Sequence, residues 1–411
     1  MKRGVIEIPA LPQSVWILWA VLGVSCFLGT LAPVAILSNG AKLLLDGLWL
    51  MLLVYLLRFG RTALAGLWEF VLWIGLFLFL TFAVQLVQQT QVLSYLWGLR
   101  NNFRFYVVFL AAGAFLRQQD RERLFWILEW LFWLNVPVTL VQFFAFGISG
   151  DLLGGIFGTV SGVNGHTNLF FTVVITHSVL KYLEHRESMW CCLGKCAAVL
   201  LIAALAELKF FFALFLLILL LAVLGTEVSW RKTGLILGGI FGALLGAWLL
   251  TWLFPRFAGW FSPAWFWRNA ASAVGYTGAG DLNRLNAING INKLFFPDWA
   301  QRIFGFGLGS CDTSSFPFLN SSFYDTYHAL HYNWMSHSFW YLEMGWTGLV
   351  FFFGFFLLVI LRAGRGFYGR LSRILALCCL LISIYNASLR TEMANLMYMV
   401  LALPFVRKEA P

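Results

Sequence analysis

Long apolar blocks alternate with short polar clusters along the chain, and the blocks recur at the length of a membrane-spanning helix. A span takes roughly 17 to 25 mostly apolar residues. Blocks of this kind, several of them short, occupy positions 15–37, 41–57, 63–86, 102–116, 124–147, 167–180, 193–207, 209–224, 234–254, 338–361, 374–389 and 392–406. The pattern predicts an all-α polytopic membrane protein with about twelve transmembrane helices. The one long polar stretch, residues 255–336, falls between the ninth and tenth blocks. The chain therefore divides into spans one to nine (1–254), a large extracytoplasmic loop (255–336) and spans ten to twelve (337–411). The first block follows Lys2 and Arg3 as a signal peptide would, but it is long and lacks a small-residue cleavage site. It is expected to be retained.

Composition removes the soluble alternatives. With 61% hydrophobic and 11% charged residues and a mean hydropathy of +0.80, a globular domain in water would precipitate. The net charge of +10 reads as topogenic. With a cytoplasmic N-terminus, ten Lys and Arg fall outside, namely Lys42, Arg100, Arg104, Lys209, Arg256, Arg268, Arg284, Lys293, Arg302 and Arg390, against 18 of the 28 inside. This bias orients the loop outward and both termini inward. No basic tract or recognition motif suggests nucleic acid. Cys191, Cys192 and Cys196 lie together near the inner face without a matching His or second Cys pair, so they read as buried or lipidated thiols. Neither a metal nor a cofactor is expected.

The loop opens with PRFAGWFSPAWFWRNA, whose Trp260, Trp265 and Trp267 suit an interfacial helix. Leu282, Leu285, Ile288 and Ile291 then recur at near-helical spacing, with Asp281 placed to cap the helix. Gly305, Gly307 and Gly309 break that pattern and permit tight turns or close backbone approach. Three histidines follow, His328, His331 and His337, the last at the start of a span. Ionisable groups also stand at membrane edges. Glu207 and Lys209 sit in AELKFFF between two apolar runs, and His166 occupies an outer loop. Such groups are costly in a membrane and mark functional sites by default. In the derived orientation Lys209, Arg284 and Arg390 share one face with His337. Fixed cations at headgroup depth suit a lipid diphosphate, whose departure as a leaving group develops negative charge. A neutral imidazole there can orient or deprotonate an attacking hydroxyl.

The segment HSFWYLEMGWTGLVFF resembles the signature of the bacterial O-antigen ligase and polymerase superfamily, in which a His opening a span is followed by Glu and two Gly. Here these are His337, Glu343, Gly345 and Gly348. FGFGLGS is similar to the superfamily's Gly-rich segment, carried by Gly305, Gly307, Gly309 and Ser310. The topology matches over nearly the whole chain, and the motifs lie within about residues 282–350. The resemblance implies a metal-independent C-type glycosyltransferase acting on undecaprenyl-diphosphate-linked glycans at the outer face of the bacterial inner membrane. It also implies a chain-length regulator and a flippase of the same pathway as partners. His337 would be the catalytic base and Arg284 the loop arginine that binds diphosphate. The family's mid-chain Ser-Arg-Gly is replaced by AELKFFF, so Lys209 would stand in for that Arg. Ser338 stands where an Asn is common. Glu343, six residues beyond His337, reads as a supporting hydrogen-bonding group, alongside Glu207 and His166.

These readings favour a polymerase that joins lipid-linked repeat units into O-antigen, capsule or exopolysaccharide. The alternatives are a ligase that transfers the glycan to lipid A-core, and a lipid-linked oligosaccharide flippase or assembly scaffold. A transporter would place charges deep within broken spans, whereas here they cluster at one face.

Overall fold

The computed structural model describes residues 12–60, 63–224, 230–272, 275, 280–314 and 317–406. The topogenic charges Lys2, Arg3, Arg61, Arg407 and Lys408 lie outside the described residues. Among those described, the regular structure is helical throughout. The first half comprises α1 (Pro12–Leu31), α2 (Ala35–Phe59), α3 (Trp68–Gln88), α4 (Val92–Phe115), α5 (Gln118–Phe144), α6 (Asn164–Leu183), α7 (Met189–Leu205), α8 (Lys209–Val223) and α9 (Trp230–Leu253). Four short helices follow, α10 (Pro263–Ala271), α11 (Ala287–Leu294), α12 (Trp299–Phe304) and α13 (Ser322–Tyr327), and then α14 (Ser336–Arg362), α15 (Phe367–Tyr385) and α16 (Ala394–Leu401). Seven helices in the described residues are long and apolar enough to cross a membrane: α1, α2, the 64–88 segment containing α3, α5, α9, α14 and α15. Shorter apolar helices span Met189–Leu205, Lys209–Val223 and Ala394–Phe405.

Burial sorts these helices into an inner and an outer set. Every residue of α16 is buried, as befits a helix that is apolar all round, and it packs against α4, α6 and α1. α2 instead buries one stripe, Ser38, Ala41, Leu45, Trp49, Leu52 and Leu56, at helical spacing. Its Leu43, Leu44, Leu50 and Leu57 are exposed. An apolar outer face of this kind is what a hydrocarbon surrounding requires. α9 approaches α8 closely because Gly239 faces Leu219 and Gly246 faces Phe212, the small-residue packing common between helices in membranes.

Two local expectations change. The first turn was expected near residue 38, between the first two blocks, yet Ser38 and Asn39 lie inside α2 and the turn falls at Ala32–Val34. Pro33 explains this, since it lacks an amide proton and disfavours helix at the preceding residue. Lys42 consequently sits on a helix wall. The loop helix begins at Ala287, with Asn286 rather than Asp281 at its cap position. The amide of Leu282 donates to the Leu330 carbonyl at 2.9 Å, tying the Asp281 region to a distant part of the loop.

α14 is broken at Gly345, where φ is 57° and ψ is −150°. The break strands carbonyls that would otherwise accept from the next turn. The Gly-rich segment takes them up: Phe306 donates to the Leu342 carbonyl at 3.0 Å and Gly307 to the Glu343 carbonyl at 2.8 Å. Glu343 is fully buried, and its carboxylate accepts from the Cys311 amide at 3.2 Å. Thus Gly305, Gly307, Gly309 and Glu343 form one joint that fixes the N-terminal half of α14, the half that carries His337.

Candidate functional site: two cavities beside the start of α14

Two cavities flank the turn that links α15 to α16. The larger, about 580 Å³, is bounded by α8, α9, α15 and the loop residues 260–285. Its lining is mostly aliphatic and aromatic, and its charged members are Lys209 and Arg284. Leu216, Ile240, Leu244 and Leu381 line it and are also exposed on the outer surface. The cavity is therefore continuous with the apolar exterior.

Lys209 starts α8 after a tight reversal. Glu207 adopts a left-handed conformation, φ 55°, and the Leu208 amide returns to the Ala203 carbonyl at 2.8 Å, closing the end of α7. The Lys209 ammonium lies 3.2 Å from the Phe257 ring centroid and 4.9 Å from that of Trp260. Glu207 approaches it at 4.0 Å but holds Arg256 more closely, at 2.7 Å. On the other wall the Arg284 guanidinium stacks over the Tyr385 ring at 4.5 Å and donates to the Tyr385 carbonyl. Of the Trp-rich segment, Trp260 and Trp265 line the cavity, while Trp267 is exposed.

His337, the second residue of α14, is buried. Its Nδ1 lies 3.3 Å from the Ser383 carbonyl, and the Arg284 main chain is its other polar neighbour. The residues around it reach both ways. Ser336 donates through its amide and its hydroxyl to the Asn386 carbonyl, each at 3.2 Å, and the Phe339 ring lies 3.0 Å from the Arg390 guanidinium carbon. The Ser338 hydroxyl turns back to the Tyr332 carbonyl at 2.6 Å. His331 stacks on Trp334 at 3.7 Å, and the exposed His328 bonds to carbonyls of its own turn.

Arg390 belongs to the second cavity, apart from Lys209 and Arg284. This space, about 320 Å³, is polar and lies between α2, α4, the 312–314 segment and the 387–392 turn. Arg390 donates to Asn102 at 3.2 Å and approaches Asp312 at 3.4 Å. Burial pulls its guanidinium below the ordinary value, with Asp312 opposing. Arg100 forms a forked pair with Asp46 at 2.8 and 2.9 Å. Arg104 reaches Glu392 at 3.5 Å. His166 lies behind this ion pair, buried, with Nδ1 unpartnered and Glu392 as its charged neighbour.

Sequence reasoning missed Asp46, Arg100, Arg104, Asp312 and Tyr385 as site residues. A usable signal was present for some of them. Lys42 and Asp46, and Arg100 and Arg104, are ionisable pairs four residues apart within otherwise apolar helices, and such pairs share one helix face. The fold and site thus define a membrane protein, helical throughout its described residues, with a cationic cavity open to its apolar exterior beside a polar, arginine-lined one. No protein-family model, curated protein or solved structure matches the chain.

Proposed function

We propose that the chain is a metal-independent membrane glycosyltransferase that polymerises undecaprenyl-diphosphate-linked oligosaccharide units into a surface polysaccharide. The observation that carries this reading is the presence of both Lys209 and Arg284 in a mostly apolar cavity open to the apolar outer surface. A diphosphate on a long hydrocarbon chain matches both parts of that cavity. The apolar wall takes the chain, and two cations from different elements take the headgroup. The resemblance of the His337, Glu343 and Gly345 segment to the O-antigen ligase and polymerase superfamily supports the same reading.

In the proposed reaction an acceptor hydroxyl attacks the anomeric carbon of the donor sugar. The bond from that carbon to the diphosphate oxygen breaks, its electron pair leaves with the lipid diphosphate, and the hydroxyl proton passes to His337. Lys209 and Arg284 stabilise the charge gathering on the departing oxygen. His337 is buried and lines neither cavity, but its neighbour Arg284 lines the apolar one and the turn that follows Asn386, the partner of Ser336, lines the polar one. On this reading a donor held in the apolar cavity and an acceptor held in the polar one meet beside the start of α14. The reading gives the chain twelve spans in the bacterial inner membrane, both termini cytoplasmic, with residues 255–336 outside and the chain-length regulator and flippase as pathway partners.

The test is the length of lipid-linked glycan in a strain lacking the protein. Single repeat units on the lipid are the expected result. Accumulated long lipid-linked polymer would indicate a ligase instead. Unprocessed units confined to the cytoplasmic leaflet would indicate a transporter, and unchanged glycan would refute an enzymatic role.

A further inference from the structure

We infer that the polar cavity binds a saccharide through an oxyanion, a carboxylate or phosphate carried by the acceptor glycan. The assignment to the acceptor rests on the glycosyltransferase reading above.

The cavity is at the small end of ligand pockets, which run from roughly 300 to 1,000 Å³. Its lining contains four cations, Lys42, Arg100, Arg104 and Arg390, and three carboxylates, Asp46, Asp312 and Glu392. The pairings are unequal. Arg100 is satisfied by its fork with Asp46. Asp312 is occupied by the Asn101 amide at 2.7 Å and the Thr313 amide at 2.9 Å, and it meets Arg390 only at 3.4 Å. Arg104 is 6% exposed. Its Nη2 makes long contacts, 3.5 Å to Glu392 and 3.4 Å to the Arg390 carbonyl, while Nε and Nη1 are buried without a hydrogen bond, the guanidinium packing on the Trp49 and Phe105 rings at 4.4 and 4.7 Å. Lys42, half-buried on α2, forms no ion pair among the described residues.

One positive charge is thus left over, with Lys42 outside any ion pair and the Arg104 Nη2 held only by long contacts. Four cations against three carboxylates around one polar space point to an anion that arrives with a ligand. The Lys42 ammonium supplies a point charge and the arginines N–H donors, both suited to the oxygens of a carboxylate or phosphate. A neutral sugar could supply acceptor oxygens but would leave the excess charge unanswered. Asn39, Asn333 and Thr391 complete the wall, with amide and hydroxyl groups suited to sugar hydroxyls.

The test uses the full-length protein in nanodiscs, titrated by calorimetry with glucuronate, glucose 6-phosphate and glucose. Saturable binding of at least one anionic sugar, with none of glucose, is expected. Tighter glucuronate would identify a carboxylate and tighter glucose 6-phosphate a phosphate. Arg104→Gln should weaken that binding by about tenfold or more and Lys42→Gln by about threefold or more. Arg104 is buried and its variant can fail to fold, so Lys42→Gln on the half-buried helix face decides independently. The inference is overturned if neither anion binds the folded protein, if glucose binds as tightly, or if Lys42→Gln leaves affinity unaltered. Polymer formation without such binding removes this inference alone. Lys42-dependent binding in a protein that transfers no sugar removes only the glycosyltransferase reading and the acceptor assignment with it.

Discussion

Replacing Lys209 with Ala should separate catalysis from folding. The ammonium contributes to the fold through the Phe257 and Trp260 rings, and contacts of this kind are worth about 0.5 to 2 kcal/mol. Its loss does not strand Glu207, which keeps the closer Arg256 at 2.7 Å. Yield should therefore fall only modestly. The rate should respond much more. Two unit charges about 4 Å apart in an effective dielectric of about 20 interact by about 4 kcal/mol. The leaving oxygen gains only part of a charge as the bond breaks, so losing the cation should raise the barrier by about 2 to 4 kcal/mol. That is about a thirty- to thousandfold loss of turnover. Lys209→Arg should retain much of the activity, and Glu207→Gln should change turnover little. The assay is single-turnover transfer from purified lipid-linked donor, normalised to folded protein. Turnover within about threefold of wild type in Lys209→Ala, or full recovery in the Glu207→Gln, Lys209→Ala pair, would refute the leaving-group role and leave Lys209 as a turn-stabilising residue.

Arg284→Lys should keep charge but lose the fork and the Tyr385 stack, giving partial activity, whereas Arg284→Ala should lower kcat more than it raises KM; equal kcat in steady-state assays of all three proteins would contradict this. His337→Gln should abolish polymer while donor binding, measured by native mass spectrometry of the lipid complex, stays near wild type; wild-type glycan length in cells expressing it well would remove His337 as the base. Gly345→Ala should destabilise the protein by at least about 2 kcal/mol, since a Cβ there meets the Arg302 carbonyl oxygen at 2.5 Å at a φ of +57°; an unchanged melting temperature in detergent would show that the break in α14 is dispensable.

How far the fold was legible depends on which residues carried it. Apolar blocks mark where helices form because each span must satisfy its own backbone in hydrocarbon. The turn at Pro33 was misplaced because Ser38-Asn39-Gly40 is a stronger polar signal than a single proline. The Gly-rich segment announced close backbone approach, but its partner could not be read from sequence. That partner is the pair of carbonyls freed by the break at Gly345, nearly forty residues further along. His337 and Arg284 come together in the structure at the Ser383–Tyr385 end of α15, a stretch whose sequence carries no comparable signal.

The charge count hid the second cavity for a different reason. Assigning Lys and Arg to one side or the other treats each as a topogenic point charge, and that bookkeeping is blind to what a cation faces. Of the ten that the bias places outside, Lys42, Arg100, Arg104, Lys209, Arg284 and Arg390 line the two cavities, and Arg256 pairs with Glu207. In the expected orientation the positive-inside tendency disfavours cations on that face, and burial adds a desolvation cost to those in the helix walls. Cations retained against both tendencies, and gathered at two spaces rather than scattered, require a compensating interaction. Asp46 and Glu207 supply it within the protein for Arg100 and Arg256. For Lys42, on the proposal above, it comes from the molecule that enters the polar cavity.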